Sequence, residues 1–173
     1  MKPVTSGEMT LNLAQHDISA NNILFGLTHF LTLTLPADWR ITRSYLQPDV
    51  QSNVRRGSLV WVEAGQTDQI VYHPSRRIAL DLTIVVKRGK QDELRSKGVT
   101  LHSRGSLMIN GHEASYILGE VGVGFLKRKL AETMRLSFYC SELGRTIIIS
   151  FTGNCQDADL REILGSLPGL KCH

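Results

Sequence analysis

Residues 134–167 read MRLSFYCSELGRTIIISFTGNCQDADLREILGSL. Apolar residues recur at every second position along residues 134–140 and again along residues 145–152. This period-two spacing predicts two strands, and residues 141–144, with the sequence SELG, predict the turn between them. The segment therefore predicts a β-hairpin, which a different kind of element follows.

The end of this segment predicts an amphipathic helix. Its apolar residues fall at i, i+3, i+4 and i+7 and so share one helix face: Leu160, Ile163, Leu164 and Leu167. We expect Asn154 or Asp157 to cap the helix, and Pro168 with Gly169 to end it. A helix with one apolar face has to bury that face, and the sheet is the available surface.

The same reasoning predicts strands elsewhere, at residues 28–35, 40–46, 59–62, 69–72, 78–86, 106–110 and 114–121. Residues 40–46 can form the hairpin partner of residues 28–35 across the turn at residues 36–39. Residues 78–86 show the longest alternation and predict a central strand, while Asn110-Gly111 predicts a two-residue hairpin turn. The charged residues 90–97 indicate a short surface helix or an irregular loop. The sum is an α+β fold, in which a single twisted antiparallel sheet carries a C-terminal helix and one or two short helices.

The chain length of 173 residues fits one domain. We find no internal repeat and no convincing linker. We therefore predict a single α+β domain over residues 26–173. Residues 1–25 would form an N-terminal arm or an extra strand, the latter at residues 9–13.

Composition and charge limit the classes of partner and the cellular compartment that we expect. The net charge is +4, and the basic residues form small groups near predicted turns: Arg55-Arg56, Arg76-Arg77, Lys87-Arg88 and Lys127-Arg128-Lys129. Solvated loop ends explain such scattered groups, so we expect no nucleic-acid partner. No apolar run reaches the roughly 18–20 residues that span a bilayer, and residues 1–10 lack the pattern of a signal peptide. We expect a cytoplasmic protein with no membrane partner.

The segment FLTLTLPADW, residues 30–39, begins a pattern that resembles the PsbP family. In that family an apolar strand leads into Pro and Trp, matched here by Pro36 and Trp39, and a later hairpin is matched by Gly111 and Ala114. The resemblance covers residues 28–170 and implies a fold shared by a photosystem II subunit, a nuclear-import regulator that binds the GTPase Ran, and prokaryotic proteins. It carries over no metal-binding position and no GTPase-contacting surface, because shared fold does not confer function.

The cysteines at positions 140, 155 and 172 include no C-x-x-C pair, which excludes a zinc ribbon or a thioredoxin-like motif. Cys140 shares its strand face with core residues, and Cys172 follows the helix that packs on that core. We favour two unconnected thiols, with Cys140 inert and buried. A Cys140–Cys172 disulfide is a second alternative, which suits the cytosol of a hyperthermophile. A metal site of Cys140, Cys172, His173 and His112 is a third, although adjacent Cys-His ligands strain a tetrahedron.

Residues 119–124, GEVGVG, lack the glycine spacing of either phosphate-binding fingerprint and join two strands. Gly119, Gly122 and Gly124 instead predict a bulge and a mobile loop that reaches Lys129. Phe125, at the end of this flexible segment, is followed by Lys127, Arg128 and Lys129. An aromatic beside positive charge is typical of a protein contact. His112, directly after the Asn-Gly turn, is expected to be a solvated hairpin residue.

We find no complete catalytic motif and no cofactor fingerprint, so we predict no catalytic residues and no cofactor. We favour a non-enzymatic binding or assembly-factor domain that contacts a protein through Phe125, Lys127, Arg128 and Lys129. The alternative is a protein that binds a small molecule or metal, or an enzyme, with a pocket between sheet and helix. An unpaired sheet edge could also join two copies into a homodimer.

Overall fold

The computed structural model describes residues 12–22, 26–43, 51–53, 60–91 and 94–173. Within these residues the strands are β1 (Leu13–Asn22), β2 (Gly26–Pro36), β3 (Arg40–Arg43), β4 (Gln51–Asn53), β5 (Val60–His73), β6 (Ile78–Arg88), β7 (Val99–Ile109), β8 (His112–Val123), β9 (Lys129–Cys140) and β10 (Arg145–Gly153). Helix α1 spans Asp157–Ser166, and 3₁₀ turns span Phe125–Lys127 and Leu167–Gly169. In the part of the chain that is described, no helix is long and apolar enough to cross a membrane.

The strands form one ten-stranded sheet in the order β1-β2-β5-β6-β10-β9-β8-β7, with β3 and β4 paired to β5. Every pairing is antiparallel except β2 with β5, which is parallel over two residue pairs. The predicted α+β class, with a mostly antiparallel sheet and a C-terminal helix, is therefore confirmed. The sheet is larger than predicted, and a single α-helix packs on it among the described residues, because the other short elements are 3₁₀ turns.

The core lies between one face of the sheet and α1. Its centre comes from the alternating strands β6, β9 and β10, and α1 adds the stripe that the sequence predicts: Leu80, Leu82, Ile84, Met134, Leu136, Phe138, Ile147, Ile149, Phe151, Leu160, Ile163 and Leu167. The β10 register places Ile149 between Ile84 of β6 and Leu136 of β9. The period-two pattern therefore becomes a continuous apolar layer across three strands.

Two pairings differ from prediction. Residues 60–62 and 69–72 belong to one strand, β5, because its polar middle pairs with β6 without interruption from Gly65 to His73. Residue 59 lies outside the described residues. Residues 40–46 were predicted to pair with the preceding strand, yet β3 pairs with β5 instead. Residues 44–46 lie outside the described residues. Alternation within a strand does not specify its neighbour, so both differences are long-range in origin.

Local sequence signals predict the β7–β8 region better than they predict the pairing of β3 and β5. A bulge interrupts the β7–β8 ladder at His102, opposite the glycine that the sequence marks, Gly119. β7 starts at Val99, earlier than predicted, because Ser103 and Gly105 hide its alternation. Residues 94–98 are not helical, while residues 92–93 of the same predicted segment are not described.

The first strand and the start of the C-terminal helix also differ from the predictions. Of the predicted strand at residues 9–13, residues 9–11 lie outside the described residues, and only Leu13 belongs to a strand, β1, which pairs with β2 from Leu13 onward. Helix α1 begins after Gln156, whose backbone N–H donates to the Asp159 carboxylate at 2.9 Å. Neither predicted cap residue, Asn154 or Asp157, is the N-cap. The N-cap is Gln156, which lies between them, because its bond with the Asp159 side chain fixes the start of the helix there.

Candidate metal centre and exposed tip

Three segments converge at one end of the sheet. His112 begins β8 directly after the Asn110–Gly111 turn, and Cys140 ends β9. The β8–β9 register pairs Ala114 with Phe138, so the residues two positions further, His112 and Cys140, lie near each other. The segment after the second 3₁₀ turn brings the third contribution, because Lys171 exchanges two backbone hydrogen bonds with Thr32 of β2, each 2.9 Å long.

This backbone pairing sets Cys172 and His173 beside the end of β9. The Cys172 thiol donates to the Cys140 sulfur, with the two Sγ atoms 2.9 Å apart, and both side chains are fully buried. Burial, and then the hydrogen bond with Cys140, raise the pKa of Cys172 to about 12. Asn110 Nδ2 donates to Cys172 Sγ at 3.6 Å and opposes this shift. Both cysteines are free thiols in the structure.

His173 directs its two ring nitrogens to different partners. Nδ1 lies 3.1 Å from Cys172 Sγ and 3.7 Å from Cys140 Sγ. On the other side of the ring, Nε2 lies 2.7 Å from the Glu142 carboxylate. This second contact favours a proton on Nε2, which leaves the lone pair of Nδ1 facing the two sulfurs.

His112 lies in the same cluster and is not the solvated residue that the sequence predicts. Its ring stacks on Phe138, with centroids 6.3 Å apart and planes 14° from parallel, and meets the His173 ring at a centroid distance of 6.1 Å. Its Nε2 atom is buried and has no hydrogen-bond partner among the described residues. The hairpin turn therefore directs this side chain toward the core edge instead of toward solvent.

One donor atom from each of His112, Cys140, Cys172 and His173 lies within 4.8 Å of all the others. Cys140 is buried, as the sequence predicts, and its thiol is not bonded to Cys172, although the two Sγ atoms are in contact at 2.9 Å. The His173 ring folds back toward the same point as the Cys172 side chain. The strain predicted for adjacent Cys-His ligands is therefore not an obstacle to binding one metal ion. Sequence analysis missed Asn110 and Glu142, since their roles depend on side chains distant in sequence.

The other cysteine, Cys155, lies outside this cluster. It is half-buried, and burial followed by the charges of Asp159, Glu132 and Asp157 raises its pKa to about 12. A thiol whose pKa is this high is almost wholly protonated at neutral pH and is a poor nucleophile. Cys155 therefore serves as a matched control for the two clustered cysteines.

The predicted contact residues lie on a protruding turn. We call residues 124–130, which join β8 to β9, the β8–β9 tip. Its apolar side chains face solvent: Phe125 is 91% exposed, Leu126 64% and Leu130 67%. Lys127 N–H donates to the Gly124 carbonyl at 3.1 Å, and Leu126 and Lys127 have φ of 62° and 50°. The left-handed backbone at these two residues costs energy and holds the apolar side chains outward.

A groove of about 510 Å³ lies on the sheet face that points away from α1. Basic side chains and hydroxyl groups dominate its lining, notably Lys87, Arg95, Arg135, Ser137 and Ser150. The sequence suggested a pocket between sheet and helix, whereas this groove uses the outward-facing positions of β6, β9 and β10. Its chemistry suits an anion.

Carboxylates face one another on the opposite half of the β8–β9 hairpin. Glu120 and Glu132 are direct cross-strand partners, and the bulge residue His102 lies 3.9 Å from Glu120 and 3.6 Å from Glu132. Burial, opposed by the charge of His102 and reinforced by that of Glu120, raises the pKa of Glu132. Two like charges directly opposite one another destabilise the pair when both are ionised.

Comparisons with known proteins add similarities of fold. No protein-family model matches the chain, and no curated protein matches its sequence significantly. The solution structure of cyanobacterial PsbP (CyanoP) from Synechocystis sp. PCC 6803 is similar, with a TM-score of 0.49 and 10% identity over 99% of this chain and 98% of that one. The Pseudomonas aeruginosa protein PA94, of unknown function, has a TM-score of 0.37 and 13% identity over 87% of this chain and 90% of that one. Neither protein's function is carried over to this chain.

Proposed function

We propose that this protein is a non-enzymatic binding domain that contacts another protein through the β8–β9 tip. The observation that supports it is the 91% exposure of Phe125 in a chain that otherwise buries its aromatic core residues Phe30, Phe138 and Phe151. An exposed aromatic on a structured turn loses little entropy when it enters a pocket, and such residues dominate binding energies.

The charge of the β8–β9 tip indicates the chemistry of the partner surface that it would contact. Lys127, Arg128 and Lys129 follow Phe125 within four positions, so a basic rim borders an apolar centre. The complementary surface is an apolar pocket bordered by Asp or Glu side chains. The turn also packs closely on β8, since a Cβ added to Gly122 would lie 2.8 Å from Lys127 Cβ. This fixed shape favours a protein pocket over a lipid surface, which needs no defined geometry.

The test places a photo-crosslinking residue at the contact. Phe125 is replaced by p-benzoylphenylalanine in the full chain, expressed in the source organism and irradiated. Met108, which is 58% exposed on β7, receives the same replacement as a control. We expect one protein to be crosslinked at position 125, and the band to weaken when Lys127, Arg128 and Lys129 are changed to Glu. Equal crosslinking at both positions, or crosslinking to lipid alone, contradicts the proposal.

The groove on the outer sheet face supports a second candidate function, the binding of a small anion. Lys87, Arg95 and Arg135 supply three positive charges around it. A screen of inorganic phosphate, nucleotides and acyl-CoAs would raise the melting temperature if one binds, and Arg135→Gln should abolish that shift. Bound ligand at 100 times its dissociation constant stabilises by about 2.7 kcal/mol. No shift with any compound removes this candidate.

We also propose that the protein acts in the cytoplasm, where reducing conditions keep thiols such as the three free cysteines unpaired. A homodimer through the β7 edge, the last strand in the described sheet order, is a further proposal. Sedimentation of the full chain over a range of concentrations tests it, and a constant monomer mass removes it.

A further inference from the structure

We propose that His112, Cys140, Cys172 and His173 bind one zinc ion in a closed, four-ligand site. Two sulfur and two imidazole ligands form one of the donor sets that hold structural zinc. The donors come from β8, β9 and the segment after α1, which the fold brings together independently of any bound ion. This inference does not depend on the proposed role of the β8–β9 tip.

The spacing of the donors suits a tetrahedron. Zinc–ligand distances of about 2.0–2.3 Å imply donor separations of roughly 3.3–3.8 Å. Nδ1 of His173 lies 3.1 Å from Cys172 Sγ and 3.7 Å from Cys140 Sγ, and the sulfurs are 2.9 Å apart. Separating the thiols by less than about 1 Å, through rotation about their Cα–Cβ bonds, brings these three donors to the required spacing. The donor atom of His112 lies within 4.8 Å of each of them and has to move inward to complete the tetrahedron.

Two features outside the ligand set also fit a metal. Nε2 of His173 contacts the Glu142 carboxylate at 2.7 Å, so the carboxylate orients the ring and favours metal binding through Nδ1. Asn110 Nδ2 donates to Cys172 Sγ, as amide groups do to metal-bound thiolates. Four protein donors would fill every position of the tetrahedron and leave none for water, which is the arrangement of a structural and not a catalytic ion.

His112 distinguishes zinc from the simpler alternative, a Cys140–Cys172 disulfide. The sulfurs are 2.9 Å apart, against a bond length of about 2.05 Å, so a modest movement would also allow the disulfide. A disulfide, however, would use only the two sulfurs and would leave the buried Nε2 of His112 without a partner. A zinc ion would use a ring nitrogen of His112 together with the other three side chains, so the geometry favours zinc.

The bound ion would fasten residues 170–173 to the sheet. At present two backbone hydrogen bonds between Lys171 and Thr32 and the buried Leu170 hold this segment. Zinc would add a direct connection from the segment to the ends of β8 and β9. Because zinc would bind the folded chain and not the unfolded one, metal binding would raise the free energy of unfolding by an amount that grows with the logarithm of the affinity.

The experiment uses Co²⁺, whose visible spectrum reports tetrahedral geometry and thiolate ligation. The reduced full-length chain is titrated with Co²⁺ and then with Zn²⁺. We expect one equivalent of Co²⁺ to give the bands of a tetrahedral thiolate complex, and one equivalent of Zn²⁺ to remove them. Metal analysis of the protein purified without chelator should show one zinc per chain.

Matched variants assign the ligands. Cys172→Ser and His112→Ala should abolish the thiolate bands or weaken binding strongly, while Cys155→Ser and His102→Ala, outside the cluster, should leave both unchanged. Glu142→Gln, at an exposed site that does not threaten folding, should weaken Co²⁺ binding by about tenfold. Circular dichroism confirms that each variant is folded.

Two outcomes would overturn the inference. The first is a reduced, folded wild-type protein that shows no tetrahedral Co²⁺ spectrum. The second is a purified chain whose intact mass is two hydrogens below the sequence value, with a crosslinked Cys140–Cys172 peptide and no zinc, which would assign a disulfide. Neither result bears on crosslinking at Phe125, so the two proposals stand or fall separately.

Discussion

Replacing Gly119 with Ala should destabilise the protein severely, because the β7–β8 bulge leaves no room for a side chain. An added Cβ would overlap the Thr100 carbonyl oxygen and lie 2.8 Å from Val99 Cγ1. The Thr100 oxygen belongs to backbone in the ladder, so it can move only if β7 shifts relative to β8. Overpacking a core by a methyl group costs about 1–3 kcal/mol, and a backbone obstacle places this case at the upper end.

We therefore expect Gly119→Ala to lose about 3 kcal/mol of unfolding free energy. For a chain of this length the melting temperature should fall by roughly 6–12 °C. Urea titration followed by circular dichroism measures both the midpoint and the slope, and the slope should stay constant if the unfolded state is unchanged.

The control is Gly165→Ala, on the exposed side of α1, where a new Cβ meets nothing within 4 Å. Removing a helical glycine should stabilise the protein by about 0.8–1 kcal/mol, so the two substitutions differ in sign. A Gly119→Ala protein within about 0.5 kcal/mol of wild type would refute the reasoning, because the strands would then not approach as closely as the bulge requires.

Three further predictions concern charge and the tip. Arg76→Ala should lower the free energy of unfolding in urea by about 1 kcal/mol, because Arg76 pairs with the buried carboxylate of Asp159 at 3.1 Å. The effect should disappear at high salt, because Arg76 is partly exposed and its charge is screened. Burial raises the pKa of Glu132, so the folded protein binds its proton more tightly than the unfolded chain does, and wild type loses stability as pH rises above about 4.5. Glu132→Gln should remove this loss. It should also gain about 0.5–1 kcal/mol at pH 7, because it removes the charge repulsion with Glu120. Unfolding of the Phe125→Ser protein should match wild type within about 0.5 kcal/mol, and a larger loss would mean that the exposed ring packs on the fold.

Much of the fold was predictable because its signals are local. The alternation along residues 78–86 and 145–152 became β6 and β10, since side chains two positions apart share a face whatever the strand pairs with. The stripe ending at Leu167 became the buried face of α1 for the equivalent helical reason. By contrast, the sequence predicts two strands where the structure has only β5, because the polar residue Thr67 between them is buried by neighbours that alternation does not reveal.

The candidate site was predictable only as a set of residue types. The sequence indicated that Cys140 is buried, and it named His112, Cys172 and His173 as further donors. It gave no reason to prefer a metal over separate thiols. The direction of the His112 ring and the contact of His173 with Glu142 depend on how three distant segments pack.

The sequence by itself determined most of β2, β6, β8, β9 and β10, the hairpin turns, the glycine of the bulge and the apolar face of the terminal helix. Each follows from interactions within a few residues, where spacing fixes which side chains share a face. Tertiary structure decided which strands are neighbours and brought Cys172 against Cys140, 32 residues away. The physical reason is that Lys171 pairs with Thr32 of β2 and thereby sets the position of the residues that follow. A pairing between segments so far apart depends on the packed core beneath it and leaves no periodic trace in the sequence.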